Sequence, residues 1–154
     1  MKKMIRNNMI LGVAFSAILF AFASRPGAHS VQIFLDSKLV IDHYVDSKKA
    51  VPDVRLEPAE NYSQLIVKYS ECGRTVTGRK LTVKDETNKV LQAWLFEGVS
   101  EGFKDPMAIT TKEIAALKKK GNKTLRLYYS SNEFPEGQQI ASIVIGSAAT
   151  TAQK

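Results

Sequence analysis

One cysteine, two histidines and one tryptophan in 154 residues leave few of the side chains on which enzymes and metal sites are commonly built. A lone cysteine, Cys72, cannot close an intramolecular disulfide, so the fold has to rest on an apolar core. The chain has no Cys-x-x-Cys and no His-x-His. Its acidic stretch Asp85-Glu86-Thr87-Asn88-Lys89 lacks the glycine and terminal glutamate of a calcium loop, and reads better as an Asp/Asn turn. Cys72 and His43 are the one nucleophile–base pair available, with Asp42, Asp46 or Asp85 as third members of a triad. No spacing brings these residues together, and His43 reads as an ordinary strand residue. No catalytic residue, metal or cofactor is expected.

Charge of one sign is also scarcer than it first looks. The net charge is +7, but Lys2, Lys3 and Arg6 supply three of those charges within the first six residues. The rest of the chain is only modestly basic and carries no basic stripe with interleaved aromatics, so no nucleic-acid partner is expected.

What the sequence does have begins at its N-terminus. The basic residues Lys2, Lys3 and Arg6 precede MILGVAFSAILFAFA (9–23), fifteen uncharged residues. That length suits a signal-peptide h-region, whereas a membrane-spanning helix needs about 20. Ala21-Phe22-Ala23 reads as the cleavage site, with a second site after Ser30; an uncleaved anchor is the alternative. No cysteine follows the run to take a lipid. Residues 1–23 are therefore read as a signal peptide, 24–146 as one domain and 147–154 as a frayed tail. The expected location is periplasmic or secreted, with no stable membrane span after cleavage. The 131 residues left are enough to bury a core without staples.

Alternation at period two runs through most of this region. Strands are expected at 31–36, 38–46, 62–70, 80–85, 89–96, 125–131 and 139–146, with a short edge strand near Val54–Leu56. Leu39, Ile41, His43 and Val45 are placed on one face of the second strand. The segment 47–61 carries Pro52 and Pro58 and reads as a surface connection; 98–107 reads as a loop. One helix interrupts the pattern near 111–120. Thr110 and Glu113 form a capping box, Ile109 and Ile114 a hydrophobic staple, and Ile114 and Leu117 an apolar stripe. Gly121 is placed as its stop, with Lys118, Lys119 and Lys120 in the last turn facing the dipole. Seven or eight short strands and one crossover helix define an all-β fold: an antiparallel, immunoglobulin-like β-sandwich, with a small β-barrel as the alternative.

Two stretches are candidate sites. In YSECGRTVTGRK (69–80) the glycines together with Arg74 and Arg79 suit an anion- or partner-binding loop, although the phosphate-loop pattern is missing. Cys72 is placed beneath that loop as a small buried hydrophobe, an intermolecular disulfide being the alternative. Tyr44, Trp94 and Tyr128 form a candidate aromatic surface if they gather on one outer face; core packing is the competing reading, also for Tyr129. Asn61-Tyr62-Ser63 and Asn122-Lys123-Thr124 match the glycosylation sequon, but the bacterial character of the n-region leaves them unused.

Taken together, the export signal, the KLVIDHYV strand, the KYSECG…LTVKDETNKVLQAW block and the LYYSSNEFPEGQQIASI ending resemble small exported bacterial β-sandwich proteins. The likeness covers most of the mature chain and carries over no functional residue. The expectation is an exported, non-enzymatic β-sandwich that binds an envelope protein, a peptide or a glycan. A self-associating assembly subunit is the second reading, and a thiol-dependent enzyme or redox accessory using Cys72 the third.

Overall fold

The computed structural model describes residues 29–46, 48–57, 59–118 and 124–146. The proposed signal peptide, the residues Lys119, Lys120 and Gly121, the sequon start at Asn122 and the tail 147–154 lie outside the described residues. Nine strands and one helix follow one another as β1 (His29–Leu35), β2 (Lys38–Val45), β3 (Asp53–Leu56), β4 (Gln64–Glu71), β5 (Thr75–Lys84), β6 (Val90–Glu101), β7 (Met107–Thr110), α1 (Thr111–Ala116), β8 (Thr124–Ser130) and β9 (Gln138–Ile145). They form two sheets, ordered β2-β1-β4-β7 and β3-β9-β8-β5-β6. Neither closes on itself, so the architecture is a β-sandwich and the barrel alternative falls. All neighbours are antiparallel except β3 and β9, which run parallel; the Val54–Leu56 segment is an edge strand, as its flanking prolines require.

Alternation sets the two inner faces. Val31, Ile33 and Leu35 of β1 and Leu65, Val67 and Tyr69 of β4 point into the sandwich from one side. Leu81 and Val83 of β5, Leu125, Leu127 and Tyr129 of β8, and Ile140, Ala141 and Ile143 of β9 meet them from the other, all in one buried cluster. β-Branched and large aliphatic side chains at every second position favour a pleated, half-buried strand, and their removal from water drives the two sheets together.

Four expectations need correcting, each for a local reason. Leu39 is not inward: a bulge in β2 opposite the Ile33–Phe34 step advances the phase by one residue. Leu39 then stands 47% exposed and Val40 packs on the core instead. Of the segment 98–107 read as a loop, residues 98–101 continue β6, because Gly98 (φ 94) bends the strand without ending it, while 102–106 do form a loop. β7, read as loop and helix cap, alternates buried and exposed and pairs with β4, making nine strands rather than seven or eight. Finally, α1 ends at Ala116 with Leu117 as its C-cap, so no lysine lies in its last turn; Lys118 instead donates to the Ile145 carbonyl at 2.7 Å.

The start of α1 follows the sequence closely. Thr110 Oγ1 accepts from the Glu113 backbone N–H at 3.2 Å, and Glu113 accepts in return from the Thr110 backbone N–H at 3.3 Å. Ile109 and Ile114 are buried together beside this cap. The helix leaves β7 in the four-stranded sheet and leads to β8 in the five-stranded one, so it is the crossover between them.

Candidate functional site

The stretch 69–80 is not one loop. β4 runs to Glu71 and β5 starts at Thr75, so only Cys72, Gly73 and Arg74 connect the two sheets. The turn closes through the Arg74 N–H, which donates to the Glu71 carbonyl at 3.0 Å. Cys72 occupies a left-handed conformation (φ 55) and is exposed, so it is not a buried small hydrophobe. Counted on from Leu65, Val67, Tyr69 and Glu71, all buried, period two places Cys72 on the outer phase, and the left-handed turn keeps it there. Arg74 is exposed beside it, but Arg79 is inward on β5 and only 5% exposed. Arg79 Nη1 donates to the Asp105 carbonyl at 2.5 Å, while its Nε has no partner. The two arginines therefore do not share a nest.

The aromatic surface is not assembled either. Tyr44 is 68% exposed on β2, an edge of the four-stranded sheet. Trp94 pairs with Leu81 on β6 and packs against the core. Tyr128 lies on β8 under the Lys84 ammonium, which sits 4.1 Å from its ring centroid. Tyr129 belongs to the core. The triad members are likewise scattered. His43 stands across β1 from Tyr69, with two strand spacings, about 10 Å, between their backbones. Asp85 sits beyond the opposite end of β5 from Cys72, where its Oδ1 accepts from the Thr87 and Lys89 N–H groups at 2.9 and 3.0 Å. That stretch is the Asp/Asn turn its sequence implies, and among the described residues no group of acidic, histidine or cysteine side chains is arranged for a metal.

What the strands do bring together, and periodicity alone does not announce, is a polar cluster between the sheets at the Cys72 end. Gln138 Nε2 donates to the Tyr69 hydroxyl at 2.5 Å, and that hydroxyl lies 2.8 Å from His29 Nδ1. The phenol oxygen can accept twice, so the direction of the His29–Tyr69 bond follows the His29 tautomer. The His29 ring makes edge contacts with Tyr69 and Phe134. Burial lowers its pKa; Glu71 opposes that shift and Arg74 adds to it. The Tyr69 and Tyr129 rings stack at 3.8 Å across the sandwich. Glu71, only 3% exposed, accepts from Tyr129 Oη at 3.0 Å and from Ser131 Oγ at 2.6 Å. Burial, chiefly, pushes both phenols well above the usual tyrosine range. Both stay protonated: Tyr129 donates to Glu71 and ties β8 to β4, while Tyr69 accepts from Gln138 and ties β4 to β9.

The remaining features are surfaces. An open groove of about 350 Å³ runs between β2 and β3, lined by Lys38, Arg55, Asp53, Glu57 and Tyr62 among others, with charges of both signs. The other long side of the sandwich ends in β6, at twelve residues the longest strand, and among the described residues no strand pairs with its far edge. Val90, Leu95 and Val99 there are 53, 63 and 64% exposed. Among the described residues no helix is long and apolar enough to cross a membrane.

Comparison with protein-family models and with curated proteins returns no match. The class of protein is thus defined by the fold itself: a two-sheet β-sandwich with open sheet edges, one of them long and apolar.

Proposed function

We propose that this chain is an exported, non-enzymatic β-sandwich that binds a polypeptide of the cell envelope along the free edge of β6. The observation that carries this reading is β6 itself. Sheet edges in soluble proteins are commonly short, or carry lysine or proline that discourages pairing. β6 has twelve residues, neither lysine nor proline, and three exposed large aliphatic side chains. Such an edge offers unpaired backbone groups for affinity and alternate side chains for selection, which is how β-strand addition works. A peptide suits it better than a glycan, because Tyr44, Trp94 and Tyr128 form no common platform. Export rests on the basic n-region and the apolar run 9–23.

The test compares wild type with Leu95→Lys, each used as bait for cross-linking and mass spectrometry in envelope fractions. Polypeptides retained by wild type and lost with Leu95→Lys support the reading; identical captures from both baits would sink it.

A further inference from the structure

We infer that the polypeptide accepted by β6 is the β6 strand of a second copy of this chain, paired antiparallel about a two-fold axis at Leu95. The inference rests on the β6 edge being the binding surface proposed above. A two-fold antiparallel pair is its own complement only if the side chains match when the strand is read backwards against itself. β6 does so in one register.

With Leu95 opposite Leu95, the outward leucines meet on the axis. On the inner face Trp94 lies opposite Phe96 twice; both rings are half-buried at the rim of the core. Such aromatic cross-strand pairs are among the favourable ones. Ala93 faces Glu97. β6 carries an extra residue on each side of this centre: Gln92 pairs with Val83 but Val90 with Lys84, and Phe96 pairs with Arg79 but Val99 with Thr77. Counted by rungs along β5, Val90 lies four positions from Leu95 on one side and Val99 three on the other, so the two valines come within one rung of each other at both ends. All three exposed aliphatic residues of β6 thus lie within the paired length of strand.

Charge agrees with this register. The carboxylate of Glu97 then faces Ala93 and no acidic residue of the second copy, and Glu101 keeps its own partner, Lys104, at 2.8 Å. Centring the pair on Glu97 instead would set two carboxylates face to face, and centring it on Phe96 would set Leu95 against Glu97; both arrangements are unfavourable. The assembled unit is one continuous ten-stranded sheet, with the two four-stranded sheets on the same face.

Sedimentation of the mature chain tests the assembly, and engineered cysteines test the register. Wild type is expected to dimerise with concentration, and Leu95→Lys, which sets two ammonium groups on the axis, to weaken the dimer at least tenfold. In a Cys72→Ser background, Leu95→Cys should oxidise to a covalent dimer, because residues directly opposite have Cα atoms about 5 Å apart. Ala93→Cys should not, since its two copies are offset by about 13 Å along the strands. Cross-linking through Ala93→Cys but not Leu95→Cys overturns the register. A wild type that stays monomeric at high micromolar concentration, while Leu95→Lys still loses envelope polypeptides, overturns the second copy and leaves the edge reading standing. A monomer whose captures ignore Leu95→Lys overturns both.

Discussion

At the scale of single residues, His29 is the group whose protonation the fold resists most directly. Its Nδ1 shares a hydrogen bond with the Tyr69 hydroxyl and its ring packs edge-on against Phe134, and this burial disfavours the charged form. The folded-state pKa lies below the ordinary 6.5. Between the two values the unfolded chain binds the extra proton, so stability rises with pH there. The contribution of neutral His29 is therefore complete above about pH 6.5 and is lost as pH falls through the folded-state value. Arg74 strengthens this behaviour and Glu71 opposes it; Tyr69, Phe134 and Gln138 are the other groups against the ring. Asp85, Glu113 and Glu133 are all held below their ordinary carboxylate values and respond at lower pH. Thermal melts between pH 7 and 5 should show a fall in midpoint for wild type that His29→Gln flattens; equal slopes would refute the assignment. Glycine positions supply a second contrast. Gly73 and Gly137 have φ of +70 and +61, yet a Cβ on Gly73 meets nothing within 4 Å. A Cβ on Gly137 lands on the Tyr129 carbonyl oxygen and 2.9 Å from Ser130 Cβ. Gly73→Ala should cost about 1 kcal/mol for the left-handed backbone alone. Gly137→Ala should cost roughly 3 kcal/mol or more, as the β8–β9 connection has to shift. Denaturant titration of the two variants separates these outcomes.

At the scale of elements, Glu71 decides how firmly β4 holds β8. It is the last residue of β4, and its carboxylate is the acceptor for two hydroxyls of the opposite sheet. Glu71→Ala leaves both hydroxyls buried without that partner, at a cost of about 2–4 kcal/mol. Glu71→Gln keeps an acceptor oxygen and should recover more than half of that in urea unfolding; equal losses would mean that the network contributes packing only. This cluster also marks where sequence reading stops. Strands β1, β4, β5, β8 and β9 are legible because their inner residues repeat every second position. The α1 cap is legible because Thr110 and Glu113 act on each other three residues apart. The network of His29, Tyr69, Glu71, Tyr129 and Gln138 is not legible, since its members are joined by the stacking of two sheets rather than by spacing. The β2 bulge is hidden for a related reason: it is a one-residue change of phase and reverses the facing of Leu39, whereas the exposure of Cys72 follows from the alternation that puts Tyr69 and Glu71 inside. The edge position of β6 depends on the strand order of the assembled sheet, so its exposure appears only in three dimensions.

At the scale of the whole molecule, the start of β1 bears on which of the two cleavage sites the proposed export would use. His29 pairs with Val45 on one side and Glu71 on the other, and Ser30 with Tyr44 and Ser70. Cleavage after Ser30 would remove two rungs shared by three strands and take away the ring that Tyr69 and Phe134 enclose. The buried end of the sandwich, with Glu71 and the Tyr69–Tyr129 stack, would then open to water on the β1 side. Cleavage after Ala23 leaves the whole ladder intact, with a short lead of five residues before His29. The mature chain is therefore expected to begin at Ser24, upstream of β1. Intact-mass measurement of protein taken from the envelope distinguishes the two, since the alternatives differ by seven residues. A mature chain beginning at Val31 would contradict the prediction. Recombinant chains starting at Ser24 and at Val31 provide the physical check: the shorter one should melt several degrees lower, having lost two rungs and the His29–Tyr69 bond, and should no longer show the pH dependence that His29 imposes.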